Sequence, residues 1–323
     1  MSLTLRLRDQ IESLVAYKGQ GETFYVQQQT VSAEAGTEFV NQDFVNTVKG
    51  PGKVFKTLAD AVDACVSGRG DEVVLLPGWY TLTDATKVAV SKSDVTIRSL
   101  SSEKKRSTVI DVTGSNYDGL TISGSDCTVK DMTFHGNAAD VTCIKATGMS
   151  TSILNCEFRG GDDNGCNGIE ISNASAEDMD AAYITIKDCL FSRLLNGITV
   201  SSTGATTGLI NYLTVQSCTF LAGKDGTNTF HFGMSGTWEG SHGLSNLLLK
   251  DLDMCITSSL DGVGTTFYTL LDPGASCDGL ITGLNGDVPL TASNCSGVDA
   301  AGNVGWTNCL SGGSGAAIVN KPS

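Results

Sequence analysis

A six-residue phrase recurs five times in this chain and limits its fold more than any other feature. The copies begin at residues 129, 153, 186, 215 and 249 and read VKDMTF, ILNCEF, IKDCLF, VQSCTF and LKDLDM. A second phrase precedes each copy, in the order GLTIS, CIKA, GIEIS, GITVS and the looser FHFGMS. Both phrases advance together at spacings of 24, 33, 29 and 34 residues, so they form one repeating unit. A period of about 20 to 50 residues indicates a solenoid or a propeller.

The composition of the phrases indicates strands. Every phrase except LKDLDM holds β-branched or aromatic residues, and Gly, Asn, Ser and Asp are frequent around the phrases, which is typical of strands separated by turns. A propeller blade needs about 40 to 45 residues, and leucine-rich repeats carry a leucine and asparagine pattern that this unit lacks. A β-sandwich gives no reason for two phrases to advance in step. The repeat therefore predicts a single-stranded parallel β-helix, in which each turn pairs with the turns above and below.

Aligned copies of the phrase predict columns of like side chains along the coil. We expect the phenylalanines to stack as an inward ladder. Three cysteines two residues earlier should form a second inward column, because buried free cysteine behaves as a small hydrophobe. A polar column is predicted at the bend just before. The predicted members are Phe134, Phe158, Phe191 and Phe220, then Cys156, Cys189 and Cys218, then Asp131, Asn155, Asp188, Ser217 and Asp251.

The phrases upstream of the repeat add a resemblance to a known family. They are KTLADAVDAC, from Lys56 to Cys65, and GRGDEVVLLPGWYTL, from Gly68 to Leu82, and the NCEF, DCLF and SCTF phrases follow. From about residue 53 to 260 the chain resembles the pectate-lyase-like right-handed parallel β-helix superfamily, in particular its phage virion members. The resemblance implies an all-β, right-handed β-helix with a short N-terminal capping helix. It implies less about function, because the superfamily includes both enzymes and inert structural proteins.

Three regions follow from where the repeat begins and ends. Residues 1–52 are interpreted as an N-terminal anchor or oligomerisation segment, 53–270 as the β-helix, and 271–323 as a C-terminal cap or oligomerisation segment. In the first region, apolar residues at helical spacing form a candidate anchor face, which comprises Leu7, Ile11, Leu14 and Val15. The alternative is that this segment folds back along the β-helix.

The charge and the cysteines exclude several classes of function. Lys and Arg number 21 and Asp and Glu 35, so the net charge is 21 − 35 = −14, which disfavours nucleic acids and anionic membranes as partners. The eleven cysteines include no CxxC pair, which argues against a zinc site and against a disulfide framework. No apolar run approaches the roughly 18 residues of a membrane span. We expect no cofactor and no metal.

An enzyme on this fold would most readily cut a polysaccharide, and two short motifs point that way. Asp162 and Asp163 in GGDDNG and His242 in GSHGLS resemble the DD and GHG motifs of polygalacturonase-like hydrolases, and glycoside hydrolysis needs paired carboxylates. The accompanying NTD and RIK motifs are absent, and 242 − 163 = 79 residues separate the two motifs, far more than one coil. Asp-Asp beside Gly and Asn is also ordinary turn chemistry. We leave the enzyme question open and favour a protein without catalytic activity.

A loop predicted from Lys224 to Ser245 gathers aromatic, acidic and imidazole groups, among them His231 and Trp238. An exposed Trp near carboxylates can stack on a sugar ring, and Trp is also favoured in contacts between subunits. We favour the subunit contact for His231 and Trp238.

Together these observations predict a structural protein of a tailed-phage virion. We expect a homotrimer that binds the major capsid protein at subunit junctions and projects a rigid β-helix from the capsid surface. The alternative is a tail spike or fibre that binds or cleaves a host surface polysaccharide, which predicts paired acids one coil apart and exposed aromatics. No secretory signal is recognisable, so we expect synthesis in the host cytoplasm and a final location on the virion.

Overall fold

Short strands dominate the part of the chain that the structure describes, because Gly, Asn, Asp and Ser interrupt its apolar runs. The computed structural model describes residues 21–27, 53–101, 105–114, 116–161, 166–173, 181–202, 210–222, 231–238, 244–256, 271–272, 277–283, 285–286, 304–307 and 310–311. Within these ranges the chain forms one α-helix, two 3-10 turns and 28 strands. None of the helices in these ranges has the length and apolar character that crossing a membrane requires.

The helix α1 spans Leu58–Ala64, and the 3-10 turns span Asp84–Thr86 and Lys105–Ser107. The first fourteen strands are β1 (Thr23–Val26), β2 (Val54–Phe55), β3 (Asp71–Leu75), β4 (Gly78–Leu82), β5 (Val88–Val90), β6 (Val95–Ser99), β7 (Thr108–Val112), β8 (Asp118–Ile122), β9 (Thr128–Lys130), β10 (Thr133–Gly136), β11 (Thr142–Ala146), β12 (Ser152–Leu154), β13 (Glu157–Gly160) and β14 (Asn167–Asn173). The remaining strands are β15 (Thr185–Lys187), β16 (Leu190–Ser192), β17 (Asn196–Ser202), β18 (Ile210–Asn211), β19 (Thr214–Gln216), β20 (Thr219–Ala222), β21 (His231–Trp238), β22 (Leu244–Lys250), β23 (Asp253–Ile256), β24 (Leu271–Asp272), β25 (Cys277–Thr282), β26 (Asn285–Gly286), β27 (Val304–Thr307) and β28 (Leu310–Ser311).

The strands form three parallel sheets, which we name A, B and C. Sheet A runs β2-β1-β3-β6-β9-β12-β15-β19-β22-β25-β27 with β18 beside β22, sheet B runs β4-β7-β10-β13-β16-β20-β23-β26-β28, and sheet C runs β5-β8-β11-β14-β17-β21-β24. From β3 to β17 successive strands belong to sheets A, B and C in rotation, so three strands make one coil. The predicted all-β fold, a parallel β-helix, is confirmed.

The predicted phenylalanine ladder is confirmed. Phe134, Phe158, Phe191 and Phe220 are buried and occupy equivalent positions on adjacent strands of sheet B. Successive ring centroids are 5.2, 5.1 and 4.7 Å apart, and successive ring planes are within 10°, 8° and 8° of parallel. The rings therefore stack face to face along the axis of the coil.

The predicted cysteine column is also confirmed. Cys156, Cys189 and Cys218 are buried and free, and each thiol lies against a backbone carbonyl. Met132 and Leu252, both buried, occupy the same position in the neighbouring coils. The column is therefore apolar along its length, as expected of cysteine that acts as a small hydrophobe.

The predicted polar column marks the corner between sheets A and B, where the chain turns sharply. Each member has a positive φ and donates its N–H to a carbonyl in the next coil. Asp, Asn and Gly tolerate this left-handed conformation better than other residues, which explains the composition of the column. Its members and their φ angles are Asp131 (65°), Asn155 (51°), Asp188 (56°), Ser217 (52°) and Asp251 (52°), and Gly283 (66°) continues the column.

The helix α1 covers the N-terminal end of the coil, as predicted. Thr57 caps it by accepting a hydrogen bond from the Asp60 N–H at 3.1 Å, and the apolar face contacts β1, β2, β3 and β5. The buried residues of that face are Leu58, Ala61 and Val62. The helix ends at Ala64, and Gly68 takes a positive φ of 75° in the turn that follows.

Strands from both flanking regions join the sheets of the coil. In the region 1–52, β1 pairs in parallel with β3, so this stretch folds back onto the end of the β-helix. In the region 271–323, β25 and β27 extend sheet A, and β26 and β28 extend sheet B. The boundaries proposed for the three regions remain predictions.

Candidate functional site

The catalytic candidates Asp162, Asp163 and His242 lie outside the described residues. The candidate anchor face lies outside them too, and it comprises Leu7, Ile11, Leu14 and Val15. Both sets remain predictions.

His231 and Trp238 are the first and last residues of β21, so this stretch is a strand of sheet C and not part of a loop. In the pairing with β17, His231 lies opposite Asn196 and Trp238 opposite Ser202. Their side chains are not among those that the structure describes, so a subunit or sugar contact through them remains a prediction.

The outer face of sheet B brings together four side chains from four coils. Along β10, Phe134 points into the core, so its neighbour His135 lies on the outside. Asp111 on β7 and Arg159 on β13 are in register with His135, one strand to either side. Trp79 lies on β4, the next strand of the sheet beyond β7. We call Trp79, Asp111, His135 and Arg159 the sheet B cluster.

Within the sheet B cluster, two neighbours hold His135. Its Nδ1 lies 2.7 Å from Oδ1 of Asp111, and its ring meets the Trp79 indole edge-on at 5.8 Å between centroids and 67° between planes. Because a carboxylate only accepts hydrogen bonds, Nδ1 donates to Asp111, which orients the imidazole. Asp111 is buried, whereas Trp79 is 50% exposed. The result is an oriented imidazole beside a half-exposed indole.

A second ion pair lies on the same face of sheet B. Arg106 donates from Nε and Nη2 to the two carboxylate oxygens of Glu157, each at 2.8 Å. Glu157 is buried, and the bidentate contact with Arg106 balances its charge. Thr133 lies one strand away from Glu157 in the same column, and its buried Oγ1 has no hydrogen-bond partner in the part of the chain that the structure describes.

The outer face of sheet C carries a lysine between two carboxylates. Nζ of Lys145 lies 3.0 Å from Oε1 of Glu170 and 3.5 Å from Oδ2 of Asp118. Burial alone would lower the pKa of Lys145, but the hydrogen bond and the charge of Glu170, with those of Asp118, raise this pKa above its ordinary value. A lysine with a raised pKa keeps its proton at neutral pH and is a poor general base. This group is therefore an ion-pair network in its present geometry.

Two tyrosines form an exposed stack at the corner between sheets C and A. The rings of Tyr183 and Tyr212 are 4.7 Å apart and within 6° of parallel, and the residues are 48% and 44% exposed. Both have positive φ angles, 59° and 57°, which bulky residues rarely adopt. The pair supplies exposed aromatic surface of the kind that the alternative function predicts.

Two of the described thiols are unreactive at neutral pH, and the described side chains form no metal-binding cluster. Burial raises the pKa of both Cys65 and Cys166 to about 11, so these thiols stay protonated at neutral pH. In the described ranges, no three His, Cys, Asp or Glu side chains come together as metal ligands would.

Sequence reasoning missed the sheet B cluster because its members come from separate repeats. Asp111, His135 and Arg159 are spaced at 135 − 111 = 24 and 159 − 135 = 24 residues. Each directly follows the inward residue of its own strand. Aligning the position after each inward residue would therefore have placed these three residues in one column.

No family model matches the chain, and no curated protein matches it. Among solved structures, it is similar to pectate lyase Pel9A, at 12% identity and a TM-score of 0.48 over 92% of this chain and 78% of that one. It is also similar to a pectin methylesterase from carrot, at 12% identity and a TM-score of 0.34 over 80% of this chain and 85% of that one. ORF18 of Geobacillus virus E2 is similar at 14% identity and a TM-score of 0.23 over 62% of this chain and 58% of that one. The parallel strand pairing of the chain itself establishes the β-helix.

Proposed function

We propose that the chain is a structural protein of a tailed-phage virion and decorates the capsid surface. The observation that carries the proposal is the interior of the coil, where like side chains stack from one coil to the next. Phe134, Phe158, Phe191 and Phe220 form one such column, and the cysteine column runs beside it. Bending the coil would break contacts along every column at once, because close-packed interiors yield little. A stiff rod of this kind suits a protein that projects from a particle.

The proposed partners are the major capsid protein and further copies of this chain. A homotrimer with closed symmetry would multiply one weak contact to a capsid junction. The anchor face predicted around Leu7 and Leu14 would supply that contact. The net charge of −14 suits a surface that stays soluble and away from nucleic acid.

Binding to phage heads that lack the protein tests this proposal. Heads would be incubated with the full chain and sedimented, and the bound copies would be counted by quantitative mass spectrometry. We expect saturable binding of many copies in multiples of three. Leu7→Asp with Leu14→Asp should weaken binding at least about tenfold, because an apolar contact would be replaced by buried charge. Leu100→Asp, at an exposed apolar position of the coil, is the control. An absence of saturable binding would contradict the proposal.

A second candidate function is a tail spike or fibre that binds or cleaves host surface polysaccharide. It is favoured by the exposed pair Tyr183 and Tyr212. Asp118 and Glu170 on the outer face of sheet C lie two coils apart, on either side of Lys145, and not one coil apart as this function predicts. A reducing-sugar assay on host capsule would separate the two functions. Cleavage that is lost in Asp162→Asn, Asp163→Asn or Glu170→Gln variants would replace the decoration proposal with this one.

A further inference from the structure

We propose that the outer face of sheet A is the contact between copies of this chain, which lie parallel to one another in a closed ring about an axis along the coil. The inference deepens the proposed function and rests on it, because it assigns a surface to the proposed homotrimer. Two columns of side chains at the borders of this face carry the inference.

The outer face of sheet A has three columns of side chains. From β6 to β19, buried residues alternate with outward ones. The middle column consists of Thr96, Thr128, Ser152, Thr185 and Thr214, followed by Leu248. The entry edge, two residues earlier on each coil, comprises Asp94, Asp126, Ser150, Tyr183, Tyr212 and Asn246. The exit edge, two residues later, comprises Arg98, Lys130, Leu154, Lys187, Gln216 and Lys250.

The entry edge holds two tyrosines where the backbone disfavours them. All six members have a positive φ, between 55° and 60°. Asp and Asn tolerate this conformation, as in Asp94 and Asp126, whereas bulky residues rarely adopt it. Tyr183 and Tyr212 nevertheless occupy it with their rings stacked and about half exposed. Residues held in disfavoured conformations cluster at functional surfaces, and Tyr is enriched in contacts between proteins. The stack therefore indicates a contact surface.

The exit edge carries two lysines for which the described residues supply no partner. No ion pair or side-chain hydrogen bond joins Lys130 or Lys187 to any residue that the structure describes. Each lysine is followed by an aspartate at the corner with sheet B, and Oδ1 of Asp131 accepts a hydrogen bond from Asn155 at 2.6 Å. Since a lysine side chain is longer than an aspartate side chain, the ammonium groups extend further outward than these carboxylates.

Two further cations of the exit edge have partners within the chain. Arg98 forms a bidentate ion pair with Glu72. Nζ of Lys250 lies 3.9 Å from Oδ2 of Asp251, which is too far for a hydrogen bond, and both side chains are exposed. The three lysines of this edge lie on β9, β15 and β22, so one neutral strand separates each from the next. This alternation avoids like charges on adjacent strands.

The two edges complement each other strand by strand. On β9, Asp126 at the entry edge matches Lys130 at the exit edge, and on β15 Tyr183 matches Lys187, an aromatic ring with a cation. Within one chain the members of each pair are four residues apart along a strand, about 13 Å, so they cannot contact each other. The complement of each edge is therefore on another copy of the chain.

The charges also select the orientation of the copies. Rotation about an axis along the coil brings the entry edge of one copy to the exit edge of the next at the same height. An antiparallel pair would instead place exit edge against exit edge, cation against cation. Because copies of a chain with net charge −14 repel one another, they associate where their charges complement each other. The proposed homotrimer is one such parallel ring.

The molecular mass of the full chain in solution, measured by light scattering over a range of concentrations, tests the contact. We expect the mass of three chains. Lys130→Glu, which sets an acid against Asp126, should raise the dissociation constant at least about tenfold, as should Tyr183→Ala with Tyr212→Ala. The matched controls are Arg159→Glu and Trp79→Ala, an exposed cation and an exposed aromatic residue of sheet B, and they should leave the mass unchanged.

A charge exchange separates contact from folding. Asp126→Lys and Lys130→Glu should each weaken association, and the two together should restore it. Restoration can come only from contacts between copies, because the two positions lie too far apart within one chain. Tyr183 shows that a long side chain is accommodated at the position of Asp126. Circular dichroism and thermal unfolding confirm that each variant is folded.

A carbodiimide, which joins carboxylates to lysines, tests the orientation on a mixture of ¹⁴N-labelled and ¹⁵N-labelled chains. We expect a mixed-isotope link between Asp126 and Lys130. A link from Asp126 to Lys250, the mass of one chain at every concentration, or a double variant that stays dissociated would each overturn the proposal. A dimer with the expected link would keep the contact and overturn the threefold count. A trimer that does not bind phage heads would contradict decoration and leave this contact standing.

Discussion

Phe158 is fully buried, and its ring centroid lies 5.2 Å from that of Phe134 and 5.1 Å from that of Phe191. The strand register fixes both neighbouring rings in place. They cannot move together to fill a gap, because the backbone that carries them is paired on both sides. Removing the Phe158 ring therefore leaves a cavity between the rings of Phe134 and Phe191.

We predict that Phe158→Ala lowers the free energy of unfolding by about 3–5 kcal/mol, the range for a large aromatic residue lost from a core. Phe158→Leu keeps most of the volume and should cost less than the alanine variant. Urea unfolding of both variants followed by circular dichroism measures the difference. Equal costs for the two variants would contradict stacking as the source of the stability.

Asp71 ties the first described strand to the coil through a fully buried carboxylate. It accepts hydrogen bonds from the Glu22 N–H at 2.8 Å, from the Val66 N–H at 2.6 Å, and from Arg69 Nε and Nη2 at 2.6 and 2.8 Å. Burial alone would raise the pKa of Asp71, but the hydrogen bonds and charge of Arg69 and the backbone donors outweigh it and hold this pKa below its ordinary value.

The pKa of Asp71 is lower in the folded protein than in the unfolded chain. The ionised carboxylate therefore stabilises the folded protein at pH values above the ordinary aspartate pKa of about 3.9. That stabilisation is lost as the pH falls through the lower pKa of the folded state. We predict that Asp71→Asn costs roughly 1.5–3 kcal/mol at neutral pH, the range for a hydrogen bond to a charged group. The difference between the variant and the unmodified chain should shrink as the pH falls below about 3.9.

Urea unfolding at a series of pH values measures this difference, and hydrogen exchange of the amides of β1 locates it. The matched control is Asp84→Asn, which removes one half of an exposed pair with Lys87 and should change stability by less than about 1 kcal/mol. If Asp71→Asn lowers the free energy of unfolding by the same amount at acidic and at neutral pH, the stabilisation does not depend on the ionisation of Asp71.

At the scale of the element, the corner between sheets A and B repeats one backbone conformation in six coils. Asn155 has a φ of 51° there, and its Nδ2 donates to Oδ1 of Asp131 in the preceding coil at 2.6 Å. The corner is thus held by conformational preference within a coil and by side-chain hydrogen bonds between coils.

We predict that Asn155→Ala costs about 1–2 kcal/mol more than Asn155→Gly, because alanine is strained at positive φ and glycine is not. Both variants lose the hydrogen bond to Asp131, so their difference isolates the backbone term. Thermal and urea unfolding measure it. Equal stability of the two variants would mean that the corner relaxes to another conformation.

The ladders could be predicted from the sequence because each one occupies a fixed place in the repeated phrase, as Phe134 and Phe158 do. The contact between Trp79 and His135 could not, since it depends on how far a long side chain reaches across the intervening strand β7. The stack of Tyr183 and Tyr212 was also missed, although the sequence aligns the two residues: each lies three residues before a copy of the repeated phrase, since 186 − 183 = 3 and 215 − 212 = 3.

At the scale of the whole molecule, the described strands form one continuous stack closed at its N-terminal end by α1 and β1. Columns of side chains run through this stack along one axis. Each further coil therefore lengthens the stack along that axis. This is why we propose a protein that projects from a capsid, with the sheet B cluster on its outer surface.

Cryo-electron microscopy of the intact phage particle tests the proposed role most directly. We predict rods of β-helix dimensions on the head, grouped in threes at junctions between capsid subunits and present in many copies. Rods confined to the tail, or particles that contain none of this chain, would contradict capsid decoration.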